Sequence, residues 1–366
     1  MKVGQLMLFQ NSDAMMQSDL EMYQNELDIA VMSESVGLDS VWAVEHHFTD
    51  YTLCPNIPMF LSYMAGKTKN ISLGTAAIIM PWHKDPIRIA TDMAMLDNMS
   101  DGRAMLGVGR GLAQVEYDGF GIDMGESRGR MNESLDMVLP ALESGVMEDH
   151  DGEFFKQIRR EIRPRPFKSF KDRLFFVSMS PDTIPHAARH GGQLMSFALG
   201  PWEKRAKDID IWRNLYQEEH GTAAPKPSAN LFCICDDDPG RATENAAIYM
   251  SSYFKSAIQH YDMDKDHFAD KGKGTYDFYA GSAKVMAEMG PDAVGANFKD
   301  LQIYGTPRKC LEQIEAIQDT IGPFDMNLSF SFAGMKYDYA KSSLQMFAER
   351  CLPTLKSWGE EAKAAE

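Results

Sequence analysis

The feature that most constrains this chain is an alternation. Short apolar runs at 3–9 (VGQLMLF), 40–45 (SVWAVE), 71–80 (ISLGTAAIIM), 103–109 (RAMLGVG), 173–179 (RLFFVSM), 193–199 (QLMSFAL), 229–235 (ANLFCIC) and 324–330 (FDMNLSF) are separated by stretches with helical patterning. Several runs are too continuously apolar to have a wet face, which is how parallel strands covered by helices read. Eight such units favour a closed (β/α)8 TIM barrel of the α/β class over an open doubly wound sheet. Helix signals agree. Ser18 and Glu21 are spaced as a capping box opening a helix that stops near Gly37. Pro86 stands at the first turn of a helix reaching Met99. Further helices are expected over 58–69, 127–148, 202–220 and 240–259, and one from Pro181.

A single domain is expected over 1–366, with two insertions. Residues 149–172 are charged and contain RPRPF, and residues 260–304 are polar and contain glycine. Both are expected at the C-terminal face of the strands, where this fold carries its chemistry. The 260–304 stretch is the expected lid, with first tryptic cleavage at Lys271-Gly272-Lys273-Gly274.

Composition narrows the function. A formal charge of -16 argues against nucleic acid, which needs a basic face. No apolar run approaches the roughly 18–20 residues that cross a bilayer. The N-terminus reads as a first strand, not a signal peptide. The five cysteines are odd in number, widely spaced and without a C-x-x-C pair, which suggests reduced thiols in the cytoplasm.

Three places carry candidate chemistry. His46 and His47 stand at the C-terminal end of the second strand. Side chains alternate along a strand, so the two diverge and one faces the barrel axis. They are either hydrogen-bonded loop residues or a functional pair. A metal reading with Glu45 is weak, because ligands on adjacent residues point apart and the chain has no H-x-H; no metal is expected. GVGRG (107–111) follows the fourth strand. It is not a G-x-G-x-x-G fingerprint, but it lets backbone approach a ligand and offers Arg110 as a phosphate clamp. SMSPDT (178–183) follows the fifth strand. There Ser180 and Thr183 either cap a helix or help hold an anion with Arg110.

Ordered pieces along nearly the whole chain resemble the luciferase-like flavin-dependent monooxygenases, and within them the luciferase α-chain branch. These are VWAVEHHFT (41–49), LGTAAIIMP (73–81), LDNMSDGR (96–103) with GVGRGL (107–112), FGIDMGESR (120–128), YDF (276–278) and YGTPRKCLEQI (304–314). The resemblance implies a barrel with a lid. It implies reduced FMN (FMNH2) from a separate NAD(P)H:flavin reductase, O2 as co-substrate, a C4a-hydroperoxyflavin, and oxygenation of a small organic substrate such as an aldehyde or ketone. It implies His46 as the catalytic residue and a structural His47. Arg110, Ser180 and Thr183 match the phosphate end, Met179 stands beside it, and Ala76 and Ala77 match a pair under the isoalloxazine ring joined by a cis peptide.

Departures accompany the match. Gly109 stands where luciferase has a reactive cysteine, Ala113 where it has a tyrosine, Met179 where it has a glutamate, and Phe197 in place of a tryptophan. Light emission and the aldehyde do not follow from the resemblance. An F420-dependent oxidoreductase of the same fold and a non-catalytic flavin-binding partner subunit are the alternatives. The helix from Pro86 is apolar nearly all round, so its outer side is expected to be buried in a homodimer, or in a heterodimer.

Overall fold

The computed structural model describes residues 1–12, 17–263, 265, 267–270 and 276–364. The barrel strands are β1 (Val3–Met7), β2 (Ser40–Ala43), β3 (Ser72–Thr75), β4 (Ala104–Gly109), β5 (Leu174–Val177), β6 (Gln193–Phe197), β7 (Ser228–Cys235) and β8 (Asp325–Ser329). Each pairs in parallel with the next, β8 pairs with β1, and β4 with β5, which closes the sheet. All eight apolar runs thus become barrel staves, nearly every residue of them buried. A barrel covered by helices has no wet face, hence the continuous apolar runs.

Helices α1 (Asp19–Ser35), α2 (Ile57–Lys67) and α3 (Pro86–Met99) follow the first three strands. The Ser18–Glu21 capping box is formed in both directions. The third apolar run is not one strand. It stops at Thr75 and resumes as a two-residue segment, Ile78–Ile79, paired with Val108 and Gly109. Between them the Ala76–Ala77 peptide is cis, the geometry the resemblance implied. The Thr75 hydroxyl takes over the ladder here: Thr75 Oγ1 donates to Gly107 O (2.7 Å) and accepts from Gly107 N (2.8 Å). A Cβ on residue 107 would meet Thr75 O at 1.9 Å, so only glycine allows that approach.

The helix expected from Pro181 is short. A 3-10 turn over Pro181–Thr183 leads into α6 (Ile184–Arg189), and the Ser180 side chain makes no capping bond. Before it come α4 (Gln114–Phe120) and α5 (Ser127–Ser144); after it come α7 (Trp202–His220) and α8 (Pro239–His260).

The two insertions part company. Residues 149–172 join the end of α5 to the start of β5, so they lie at the N-terminal end of the barrel, not at the C-terminal face expected for them. Lys168 N donates to Asp97 Oδ2 (2.9 Å) and Asn98 Nδ2 to Arg165 O (2.7 Å), against the last turn of α3. Arg173 Nη1 meets the buried Asp97 at 2.5 Å. The other insertion does stand over the strand C-termini. Its described residues form α9 (His267–Asp270), α10 (Asp277–Met289), α11 (Pro291–Asp300) and a short strand, Ile303–Gly305, beside β7. The Lys271-Gly272-Lys273-Gly274 cleavage site lies outside the described residues. All five cysteines are free and buried. Cys235 lies within hydrogen-bonding reach of Cys310 and Cys351, and burial pushes the Cys54 thiol up to about 12. Among the described residues no helix is long and apolar enough to cross a membrane.

Candidate active site

One cavity opens at the C-terminal ends of the strands, and its wall holds every residue singled out from the sequence as a site residue: His46, Ala76, Ala77, Arg110, Met179, Ser180 and Thr183. Most of the remaining lining is apolar or aromatic, including Leu8, Val177, Phe197 and Phe232. Such a cavity, with few converging polar groups, suits a small-molecule site.

At one end the two histidines lie three and four residues past the last residue of β2, Ala43, rather than on the strand end, and their side chains diverge. Nδ1 of His46 lies 3.0 Å from Glu116 Oε1, and the Tyr261 hydroxyl donates to its Nε2 at 3.1 Å. His260 Nε2 stands 3.1 Å from His46 Nδ1. His47 turns the other way. Its Nε2 bonds Glu45 Oε1 (3.1 Å), and its ring meets Trp82 and Phe120 edge-on. Glu45 also accepts the Ile79 backbone N–H at 3.1 Å, tying the second strand to the resumed third. His46, Glu116 and His260 place ligand-type atoms within 4.8 Å of one another. Each of these atoms is already engaged with another of the set, while the second oxygen of Glu116, Oε2, is buried without a hydrogen-bond partner.

Glu116 is buried, and α4 holds it against the histidines. Burial alone would raise its pKa, but the charge of His46 and hydrogen bonds from both histidines outweigh it and hold the carboxyl down to about 2. His260 is shifted below the usual histidine range, mainly by burial, with Glu116 opposing.

At the other end the site is cationic. Arg110 is buried, and its guanidinium carbon lies 3.9 Å from the centre of the Tyr276 ring. Tyr276 donates to Gly111 O (3.0 Å), and Tyr117 donates to the Arg110 carbonyl. Both terminal nitrogens of Arg128 are buried without a hydrogen-bond partner. Burial and the nearby charge of Arg110 lower its pKa to about 10, with Asp182 opposing. The buried, unbonded guanidinium of Arg128, with the charge of Arg110 beside it, calls for an anion. Ser180, its hydroxyl not spent on capping, and Thr183 stand beside them. Between the two ends the floor is smooth. A Cβ at Gly109 would come within 3.0 Å of Ile79 Cδ1 and 3.3 Å of Ala77 Cβ. A planar ring with a phosphate on a short tail fits these features: small residues under the ring, arginines at the phosphate.

Sequence reasoning missed Glu116, His260, Tyr261, Arg128 and Tyr279. Arg128 closes the quoted run FGIDMGESR, so a signal for it was present and unassigned. Tyr276 opens the quoted YDF. Glu116 and His260 carry no local signature, since 144 residues separate partners that meet only across the barrel mouth.

A family profile described as luciferase-like monooxygenase matches residues 1–322. The alkanal monooxygenase alpha chain of Photorhabdus luminescens is 28% identical over 330 residues, 89% of each chain. The FMN-bound oxygenating constituent of 3,6-diketocamphane monooxygenase from Pseudomonas putida superposes with a TM-score of 0.74 at 17% identity, covering 96% of this chain and 98% of that one. An F420-dependent secondary alcohol dehydrogenase superposes at 0.70 with 18% identity, covering 95% and 97%. With the profile matched over most of its length, the chain belongs to the luciferase-like monooxygenases, a family of flavin-dependent enzymes.

Proposed function

We propose that this protein is the oxygenating component of a two-component monooxygenase. It takes reduced FMN from a separate NAD(P)H:flavin reductase and, with O2, oxygenates a small organic substrate such as an aldehyde or ketone. The observation that carries this reading is the polarity of one cavity, with Arg110 in its wall at one end, the unpartnered Arg128 close enough behind it to feel its charge, and His46 at the other end. The residues fit FMN, which when bound supplies the electrons that activate oxygen. Arg110 and Arg128 neutralise the phosphate, and Ser180 and Thr183 donate hydroxyl hydrogens to it. Ala76, Ala77 and Gly109 would leave room for the ring, and Met179 would line the site beside Ser180. The apolar wall keeps water from the reacting atoms. Glu116 orients the His46 ring with a proton on Nδ1, which leaves Nε2 to move a proton at the pocket side. The 260–304 segment acts as the lid, supplying Tyr261, Met263 and Tyr279 to the wall. The relative that acts on alkanals supports the aldehyde class.

The superposition with an F420-dependent dehydrogenase favours a second reading, hydride transfer with F420. One experiment separates them: oxygen uptake with chemically reduced FMN and a panel of aldehydes and ketones, against F420 reduction with secondary alcohols. Product with reduced FMN supports the first. F420 reduction without FMN turnover overturns it. No turnover with either, despite tight flavin binding, makes the chain a non-catalytic partner subunit.

A further inference from the structure

We infer that His260 and Thr49 form a proton route that connects His46 to solvent at the back of the pocket. This deepens the reading of His46 as the group that moves a proton there.

The distances define a chain of single hops. His46 Nδ1 is 3.1 Å from His260 Nε2, and the opposite nitrogen of the same ring, His260 Nδ1, is 2.7 Å from Thr49 Oγ1. His260 itself is buried, 5% exposed. Thr49 is half-buried and flanked by exposed Phe48 and Asp50, so the route reaches the surface within one side chain. Both ring nitrogens of His260 are therefore engaged, one toward the site and one toward water.

One assignment of hydrogens satisfies every bond. His46 carries its proton on Nδ1, shared between Glu116 Oε1 and His260 Nε2. His260 carries its proton on Nδ1, donated to Thr49. Tyr261 donates to His46 Nε2, the pocket-facing nitrogen. When His46 Nε2 takes a proton from the pocket, its Nδ1 proton passes to His260 Nε2. The His260 Nδ1 proton passes to Thr49 Oγ1, and the Thr49 proton passes to water. One proton enters the chain and one leaves; run backwards, the route delivers a proton. The groups facing His260 are His46, Glu116, Tyr51 stacked at 4.6 Å, Tyr261 at 4.9 Å and Asp262. Glu116 Oε1, 3.6 Å from His260 Nε2, stabilises a proton on either ring. Burial holds the resting His260 neutral, so Nε2 is free to accept. A dry pocket needs such a route, since bulk water cannot trade protons with His46 from the front.

His260 and Thr49 are positioning residues, acting through His46. The test reads the protein without ligand. With ring-nitrogen-labelled histidine, NMR measures exchange of the His46 Nδ1 proton with water. His260→Phe should slow it by about 100-fold, the low end for removing a positioned proton-transfer group, and Thr49→Val by about tenfold. Thr49→Ser, which restores the hydroxyl, should match wild type. Wild-type exchange in Thr49→Val and in a folded His260→Phe overturns the route. Should His260→Phe not fold, the half-exposed and isosteric Thr49→Val decides alone, its unchanged exchange overturning the route and its slowed exchange supporting it. A second arm measures the solvent isotope effect on oxidation of reduced FMN by wild type and Thr49→Val. Absence of any FMN turnover in wild type sinks the flavin reading and leaves the exchange result standing for the route.

Discussion

Oε1 of Glu116 lies 3.0 Å from Nδ1 of His46 and accepts the backbone N–H of His47 at 2.7 Å. One carboxylate oxygen thus orients the ring and pins the chain at the next residue. Its partners hold its pKa at about 2 in the folded protein, against an ordinary value of 4.5. A carboxylate depressed on folding contributes stability that is present above the unfolded pKa and lost as pH falls through the folded one. Glu116→Gln removes that contribution. Urea midpoints of wild type and variant should differ at pH 6 and converge between pH 4.5 and 2. A gap that stays constant across this window would show that the charge is not what stabilises.

The arginines should discriminate between flavins. Arg110→Ala and Arg128→Ala should each weaken FMN by roughly 10- to 150-fold, the worth of one charge-assisted hydrogen bond, and leave riboflavin nearly unchanged. Fluorescence titration with both flavins measures this. Equal losses for both would move that arginine off the phosphate.

His46→Ala should still bind FMN, because the phosphate end is intact, but oxygenated product should fall by about 100-fold or more while hydrogen peroxide release rises. His47→Ala, which removes a ring that is not part of the cavity wall and reaches it only through Glu45, should do much less. Product and peroxide per reduced FMN, measured for both variants, report the assignment. Reversed behaviour would exchange the two roles.

The barrel was legible in the sequence because its strands are almost entirely buried, so they wrote themselves as short, largely apolar runs. The break at Ala76–Ala77 was not, since its residues are as apolar as the strand they interrupt. The helices of the 260–304 segment were hidden by their own composition: α10 and α11 mix small residues, glycine and charges, which blurs an apolar stripe. The 149–172 insertion was sent to the wrong end because charge and proline mark an insertion without saying which end of the barrel it joins. Side chains just past the strand ends revealed themselves by position, as His46 and Arg110 did. Glu116, Arg128 and His260 sit on helices, where nothing local says which residue leans over the barrel mouth.

Away from the site, Glu26 is buried, with Ser331 donating to its Oε1 at 2.6 Å, and burial pushes its pKa up to about 7. The folded state then binds this proton more tightly than the unfolded state. Its contribution is full below 4.5 and lost as pH rises to about 7. Glu26→Gln keeps the shape without the ionisation. It should gain stability over wild type across that window, by roughly 1–3 kcal/mol at pH 8, the cost of a poorly compensated buried polar group. Denaturant melts at pH 5 and pH 8 check it; an advantage equal at both values would refute the ionisation argument.

The outer faces of α2 and α3 lie side by side and expose Met59 (71%), Tyr63 (44%), Met95 (53%) and Met99 (47%). A patch of this kind is uncommon on a monomer, which supports the dimer proposed for this helix. Sedimentation at micromolar concentration should show a dimer, and Met95→Glu with Met99→Glu should yield a monomer. A monomeric wild type would count against the assembly.

The sealed thiols give this molecule a clock of its own. With all five cysteines buried and the Cys54 thiol pushed up to about 12, a thiol reagent finds neither access nor a thiolate on the native protein. Labelling therefore advances only when the backbone opens. Cys54 lies in the segment that follows β2 and also holds His46, while Cys235, Cys310 and Cys351 cluster at β7 and the helices behind it. The order in which their adducts accumulate would time the opening of two sides of the barrel separately, with no probe introduced.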